Sequence, residues 1–240
     1  MGKTFFNKNL NANNVIEVDL NIEILKELEI IKKSYIWNTN KNIFPPEKFS
    51  CMKPSWGGDM EWISANNINT YNLFLKGFES LGFCELLMDI IEYENQLRLY
   101  AGFFVKRSSS KKNFHKDWRG SLKNNAFTLL TPIYQEEDAL HLLYKDLSGK
   151  ECKYKYEIGK GILFGSDFFH STEAGTSSSS SILLCFQFGT DLAEYNRGIH
   201  DAMGTQTPFM MLPDGQFVKH EKPKAKVKTF TVPLDINDVK

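Results

Sequence analysis

Three residues of this sequence have the side-chain types and the spacing of a metal centre. His115 and Asp117 stand two positions apart in NFHKDWRG (113–120), and His170 follows in GILFGSDFFHSTEAG (161–175). On an extended segment, positions i and i+2 project to one face, so His115 and Asp117 can bind one metal ion together. Two imidazoles and one carboxylate form the facial ligand set of non-haem Fe(II), which leaves coordination positions open for oxidation chemistry.

The three side chains meet only if the chain between them folds back as paired strands. Short segments rich in β-branched and aromatic residues predict strands over 97–106, 125–134, 139–146, 152–158, 161–165 and 181–189. The 53 positions from Asp117 to His170 leave room for about four short strands. An antiparallel β-sandwich or jelly-roll barrel can therefore bring His170 beside the first two ligands. The alternating KYKYE stretch predicts an edge or half-exposed strand, and the apolar ILLCF stretch predicts a central one.

Helical patterns precede these strands. Apolar residues spaced two to four positions apart predict a helix over 19–35, with Asp19 or Asn21 as its cap. A second helical zone covers 70–93 and is split near Gly82. The fold class expected is therefore mainly β with N-terminal helices.

The chain divides into three parts within one structural domain. Residues 1–94 supply the helices and an aromatic loop region, 95–190 the β core, and 191–240 a C-terminal extension whose KVKTFTVPL stretch predicts a last strand. Pro and Gly interrupt the loop region, which carries Trp37, Trp56 and Trp62. Loops on a rigid barrel often carry specificity, so these tryptophans can line a substrate pocket or close the barrel.

The motifs FHKDW and FGSDFFHSTEAG resemble the His-x-Asp and distal-histidine motifs of the 2-oxoglutarate and Fe(II)-dependent dioxygenases. The resemblance covers about residues 95–190 and implies a double-stranded β-helix, the jelly-roll or cupin-like core of that superfamily. It also implies that His115, Asp117 and His170 hold Fe(II), with 2-oxoglutarate as co-substrate and O2 as oxidant. The retained Asp117 resembles the hydroxylating branch rather than the related halogenases.

The sequence departs from that family at the residue expected to anchor 2-oxoglutarate. Most members carry an arginine or lysine shortly after the distal histidine, whereas TSSSSSILLCFQ (176–187) contains no cation. A buried carboxylate favours the bidentate fork of an arginine. Arg98 and Tyr100 share one face of a predicted strand, so Arg98 is the predicted anchor, with Tyr100 or Ser180 as hydroxyl donor. The remaining candidates are Arg119 and Arg197 as alternative anchors, and Thr128 and Gln187 as possible hydrogen-bonding partners of co-substrate or substrate.

Other polar residues near the motifs have plainer interpretations. Asp167 stands three positions before His170 and could compete as a ligand, but FGSDF is typical of a turn. His141 lies within an apolar stretch and is interpreted as a core histidine. His200 has an aspartate neighbour and is interpreted as a loop residue.

Composition limits the partners and the function. Lys+Arg 29 against Asp+Glu 29 gives no net charge, which argues against a nucleic-acid groove or an anionic membrane surface. The four cysteines lack a CxxC pair, as expected of reduced thiols in a cytoplasmic protein, and no apolar run predicts a membrane span. The predicted function is hydroxylation of a small molecule, an amino acid or natural-product intermediate. The alternatives are hydroxylation of a protein or peptide side chain, and a non-oxidising cupin-like metal-binding module. The oligomeric state does not follow from the sequence.

Overall fold

The computed structural model describes residues 4–30, 44, 46–135, 137–204 and 206–220. The strands are β1 (Phe6–Asn7), β2 (Ala12–Asn13), β3 (Val15–Asp19), β4 (Phe49–Met52), β5 (Glu61–Ala65), β6 (Arg98–Ser110), β7 (Ala126–Tyr134), β8 (Leu142–Lys145), β9 (Glu151–Tyr154), β10 (Lys160–Phe164), β11 (His170–Thr172), β12 (Gly175–Gly189), β13 (Phe209–Met211) and β14 (Phe217–Lys219). The α-helices are α1 (Ile22–Glu27), α2 (Ile68–Ser80) and α3 (Asn196–Met203).

Two antiparallel sheets form the framework of the molecule. The larger has seven strands in the order β3-β10-β7-β12-β6-β5-β4, and the smaller has three in the order β11-β8-β9. Each of the six predicted strand segments overlaps an observed strand. As predicted, KYKYE begins in the edge strand β9, and ILLCF lies in β12 between β6 and β7. The mainly β, antiparallel architecture predicted for the chain is therefore confirmed.

Residues of β12 alternate between two cores because successive side chains of a strand point to opposite faces. Leu184 and Phe186 join a core that includes Phe74 and Phe78 of α2. Leu183 and Cys185 join the core between the two sheets. Helix α2 therefore covers the outer face of the large sheet, and the inner face encloses the space between the sheets.

Residues 1–94 contribute strands to the large sheet that the sequence patterns missed. Strand β3 pairs with β10, and β5 pairs with β6. The helix predicted over 19–35 begins later: Asp19 ends β3, and α1 covers only six residues. Asn21 caps it, since its Oδ1 accepts hydrogen bonds from the backbone N–H of Glu23 and Ile24. Its predicted continuation over 31–35 lies outside the described residues.

The second helical prediction agrees better with the structure. Helix α2 is capped by Asn67, whose Oδ1 accepts from the backbone N–H of Thr70. Gly82 then takes a φ of 66°, a left-handed conformation that glycine adopts without strain. A 3-10 helix, Phe83–Leu87, follows it, so the predicted split near Gly82 is confirmed.

Two predictions fall on residues outside the description, Trp37 and the strand in KVKTFTVPL. Among the described residues, no helix combines the length and the apolar character that crossing a membrane requires.

Candidate metal centre

The backbones of the two candidate histidine ligands are paired directly. The His115 N–H donates to the His170 carbonyl at 2.8 Å, and the His170 N–H donates to the His115 carbonyl at 3.0 Å. This antiparallel bridge extends the small sheet beyond β11 and places the two imidazole centroids 4.6 Å apart. The sheet itself therefore holds together two side chains that are distant in sequence.

Asp117 completes a compact group. Its Oδ1 lies 3.3 Å from Nε2 of His115 and 3.5 Å from Nε2 of His170. One ligand atom from each of the three residues lies within 4.8 Å of the others. The side chains of Asp117 and His170 are 9% and 6% exposed, whereas that of His115 is 32% exposed. Solvent therefore reaches this group from the His115 side.

The hydrogen bonds of the histidines fix which ring nitrogen faces the centre. Nδ1 of His115 lies 2.7 Å from the Asn113 carbonyl, and Nδ1 of His170 lies 3.2 Å from the Phe168 carbonyl. A carbonyl only accepts, so each Nδ1 carries the proton and each neutral ring turns its Nε2 lone pair toward Asp117. Two lone pairs and a carboxylate that converge in this way suit a cation, and backbone carbonyls commonly orient metal-binding histidines like this.

Burial and charge favour the metal-binding protonation states of Asp117 and His170 but not that of His115. Burial lowers the pKa of His170 to about 4, so this imidazole is neutral at neutral pH. Burial alone would raise the pKa of Asp117, but the two histidines and the Thr128 hydroxyl outweigh it and lower that pKa to about 2. Burial opposes protonation of His115 too, but its hydrogen bond to Asp117 prevails and raises its pKa.

A short hydrogen-bond chain orients Asp117. The Thr128 hydroxyl donates to Oδ2 of Asp117 at 2.8 Å, and the indole N–H of Trp118 donates to that hydroxyl oxygen at 3.1 Å. Both Thr128 and Trp118 are buried. Because Oδ2 is held in this way, Oδ1 is the oxygen that remains directed at the histidines.

The group opens into a cavity between the two sheets. Apolar side chains dominate its lining: Trp56, Met60, Trp62, Phe103, Val105, Leu130, Leu142, Leu183 and Cys185. The polar lining residues besides the three candidate ligands are Arg107, Thr128, Tyr156, Thr172, Gln187 and Gln206. An apolar cavity with few polar groups is typical of a small-molecule site.

Comparison with known proteins identifies the fold. No protein-family model and no curated protein sequence matches the chain. Solved structures do match it. HygX from Streptomyces hygroscopicus, with nickel and 2-oxoglutarate bound, is 11% identical, with a TM-score of 0.52 over 78% of this chain and 88% of that chain. The epimerase SnoN, in complex with Fe3+, alpha ketoglutarate and nogalamycin RO, is 9% identical, with a TM-score of 0.52 over 74% of this chain and 79% of that chain.

This chain has the fold of the 2-oxoglutarate and Fe(II)-dependent oxygenases. The structure of HygX with nickel, 2-oxoglutarate and hygromycin B bound is similar too, at 11% identity and a TM-score of 0.51 over 74% of this chain and 83% of that chain. The resemblance seen in the two sequence motifs is therefore confirmed at the level of the fold.

The predicted co-substrate residues are only partly brought together. Thr128 and Gln187 line the cavity. Arg98 and Tyr100 do not belong to its lining: Nε of Arg98 donates to the Pro213 carbonyl at 3.3 Å, and the Tyr100 hydroxyl donates to the Thr190 carbonyl at 2.9 Å. The side chain of Ser180 lies outside the described part of the chain.

An irregularity in β6 lies between Arg98 and the residues of this strand that line the cavity, Phe103, Val105 and Arg107. Gln187 pairs with Ala101 and Phe188 with Leu99, so Tyr100 is the extra residue of an irregularity in β6. A bulge reverses the alternation of side chains along a strand. Tyr100 and Ala101 both face the core between the sheets, so the alternation breaks after Tyr100 and the i and i+2 relation of Arg98 to Tyr100 is unaffected. Arg98 lies outside the lining because it begins β6, away from the cavity.

Sequence reasoning missed Arg107, which lies at the other end of β6. It lines the cavity and is 2% exposed. The stretch VKRSSSKK, residues 105–112, resembles a solvated strand end, although Phe103, Val105 and Arg107 alternate on one face. That alternation was the signal that could have identified Arg107.

The remaining candidates lie apart from the cavity. Arg119 forms an ion pair with Asp201 at 3.8 Å. Asp167 forms one with Lys116 at 3.2 Å. Nδ1 of His141 accepts from the backbone N–H of Tyr156 at 3.1 Å, which suits the interpretation of His141 as a structural histidine. The other two, Arg197 and His200, belong to α3 rather than to the cavity lining.

We expect Thr128→Val to weaken Fe(II) binding by roughly 10- to 100-fold, the usual cost of losing a group that orients a metal ligand. Valine keeps the shape but removes the donor to Asp117 and the acceptor for Trp118. Anaerobic titration with Fe(II) measures the change. Thr131→Val is the matched control, because the Thr131 hydroxyl on the same strand donates to the Lys160 carbonyl at 2.9 Å, away from the ligands. Equal losses in both variants would contradict the proposed role of Thr128.

Proposed function

We propose that this protein is an Fe(II) and 2-oxoglutarate-dependent oxygenase that hydroxylates a C–H bond of a small molecule. The observation that carries the proposal is the convergence of His115, Asp117 and His170, whose ligand atoms lie within 4.8 Å of one another. Their donor set suits Fe(II), and the lone pairs already face one point. The strand order β10-β7-β12-β6 opposite β11-β8-β9 fits a double-stranded β-helix as the core of the fold.

Arg107 is the residue best placed to hold the far carboxylate of 2-oxoglutarate. It is a buried cation whose Nη2 donates to the Leu140 carbonyl at 2.7 Å, while its Nε has no hydrogen-bond partner. Among the described residues, no carboxylate forms an ion pair with it. A buried guanidinium that lacks an anion is costly, so a bound carboxylate stabilises it.

Tyr156 supplies a second donor beside Arg107. Cζ of Arg107 lies 5.8 Å from the centroid of the Tyr156 ring, and the buried Tyr156 hydroxyl has no hydrogen-bond partner. A carboxylate accepts several hydrogen bonds and can satisfy both groups at once. We therefore assign to Arg107 and Tyr156 the role that the sequence suggested for Arg98, Tyr100 and Ser180.

The chain's own residues place and protect the reactants. When bound, Fe(II) and 2-oxoglutarate would activate O2, which is the oxidant: 2-oxoglutarate would supply two electrons as it loses carbon dioxide and becomes succinate, and the substrate C–H bond would supply the other two. The triad holds the metal in one orientation through the backbone carbonyls and Thr128, and Arg107 and Tyr156 orient the co-substrate. The apolar lining excludes water, which strengthens these interactions.

Two observations support a small molecule as the substrate. Apolar side chains from both sheets line the cavity beside the candidate metal ligands, and few polar groups interrupt them, as is typical of a small-molecule site. HygX, whose fold this chain shares, has been solved with hygromycin B bound.

The cytoplasmic location stays a prediction, and so does the division of the chain at residues 94 and 190. The four cysteines are free, as reduced thiols would be.

An anaerobic spectroscopic titration tests the proposal. Fe(II) and 2-oxoglutarate added together should give the visible metal-to-ligand charge-transfer band, and either component alone should not. Oxygen should then consume 2-oxoglutarate and release succinate. Bound iron without the band would remove 2-oxoglutarate from the mechanism and leave a non-oxidising cupin-like metal protein.

A further inference from the structure

The charged groups that line the cavity all have a role in holding the metal or the co-substrate. Among the described lining residues these groups are Arg107 and the three candidate ligands. In the loaded site, the charges of Fe(II) and Arg107 balance those of Asp117 and the 2-oxoglutarate dianion. No described lining residue is left to pair with a charge on the substrate, and burying an unpaired charge is costly.

The route into the cavity passes a pair of tryptophans. The Trp56 ring lies 5.5 Å from the His115 ring and 5.9 Å from the Trp62 ring. Both tryptophans are half-buried, and His115 is the more exposed histidine ligand, so this pair lies where the metal group meets solvent. Indole rings present large, rigid apolar faces that favour flat apolar partners.

Gln187, one of the described lining residues, offers a neutral hydrogen-bonding group. Nε2 of Gln187 donates to Oε1 of Gln206 at 2.8 Å, whereas Oε1 of Gln187 has no partner although it is buried. Gln187 also pairs with Thr128 across β12 and β7, which places it beside the residue that orients Asp117. A ligand hydroxyl or N–H can satisfy this oxygen near the metal.

We infer that the substrate is an uncharged molecule with a flat apolar ring system, which packs on Trp56 and Trp62 and donates one hydrogen bond to Gln187. The inference rests on the proposed function, because it assigns Arg107 and the triad to co-substrate and metal. It disfavours the amino acids that the sequence left open, since their ammonium and carboxylate groups have no counterpart among the described lining residues.

Three probes that share one ring system and differ in charge test this inference. They are 2-naphthol, 2-naphthoate and 2-(aminomethyl)naphthalene, titrated calorimetrically into the full chain loaded with Zn(II) and 2-oxoglutarate. We expect 2-naphthol to bind at least about tenfold more tightly than either ion, because the ions must give up their hydration without a partner. Equal or tighter binding of either ion, or no binding of 2-naphthol, would overturn the inference.

Variants of Trp62 show whether binding uses the tryptophan pair. Trp62→Ala should weaken 2-naphthol binding by at least about fivefold, and Trp62→Phe, which keeps an aromatic face and guards against misfolding, should restore most of it. Unchanged binding in a folded Trp62→Ala variant would refute the assigned surface. A different result would be naphthoate binding to the parent that disappears in Arg107→Met. It would show that naphthoate, and not 2-oxoglutarate, occupies the site at Arg107, which is a failure of the proposed function.

Discussion

Replacing Arg107 with methionine is expected to raise the dissociation constant of 2-oxoglutarate by at least about 30-fold. Losing one partner of a buried, hydrogen-bonded charge pair costs about 2–5 kcal/mol, and each 1.4 kcal/mol is a factor of ten. Fe(II) binding should be unchanged, because Arg107 contacts none of the three metal ligands in the structure. The charge-transfer band, titrated with 2-oxoglutarate under argon, measures the effect.

Two further variants give this experiment its control. Arg98→Met removes an arginine from the same strand, but one that donates to the Pro213 carbonyl outside the cavity, so co-substrate affinity should stay within about twofold of the parent. Arg107→Lys keeps the charge but loses the planar fork, and an intermediate affinity is expected. If Arg98→Met weakened 2-oxoglutarate binding and Arg107→Met did not, the anchor predicted from the sequence would replace the one assigned here.

The candidate metal ligands and the proposed co-substrate anchor differ in how far the sequence could predict them. His115 and Asp117 could be identified from the sequence because their spacing matches the two-residue period of an extended chain. His170 could be identified from the strand-like stretch before it and from the resemblance of its motif to a known family. The proposed anchor, Arg107, left a weaker signal, the alternation of Phe103, Val105 and Arg107 on one face, in a stretch that otherwise resembles a solvated strand end.

The sequence also predicted some strands of the fold better than others. Strands with several apolar or aromatic residues, such as β7 and β12, were found from composition alone. Strand β3 was missed, because the predicted helix over 19–35 included only its last residue, Asp19, and residues 15–18 were assigned to no element. Pairing with β10 decides in favour of a strand, from Val15 opposite Phe164 to Asp19 opposite Lys160. Tertiary contacts of this kind override local propensity.

Removing one metal ligand should have the largest effect of all. We expect His115→Ala to weaken Fe(II) binding by more than about 100-fold, beyond the usual cost of losing a group that only orients a ligand. The variant leaves Asp117 and His170 alone at the centre, and two donors cannot form the facial set. Because the His115 side chain is 32% exposed, the metal-free variant should melt close to the parent.

Metal-induced stabilisation separates loss of binding from loss of folding. A ligand present at about 100 times its dissociation constant stabilises the native state by about 2.7 kcal/mol, so Fe(II) should raise the melting temperature of the parent and not that of His115→Ala. His200→Ala is the matched control, because His200 lies on α3, where its ring stacks on that of His220. A parent-like shift in His115→Ala would mean that the cation binds without His115, and the triad could not then be the metal centre. Loss of the shift in His115→Ala alone would tie metal binding to the side chain that begins the His-x-Asp motif.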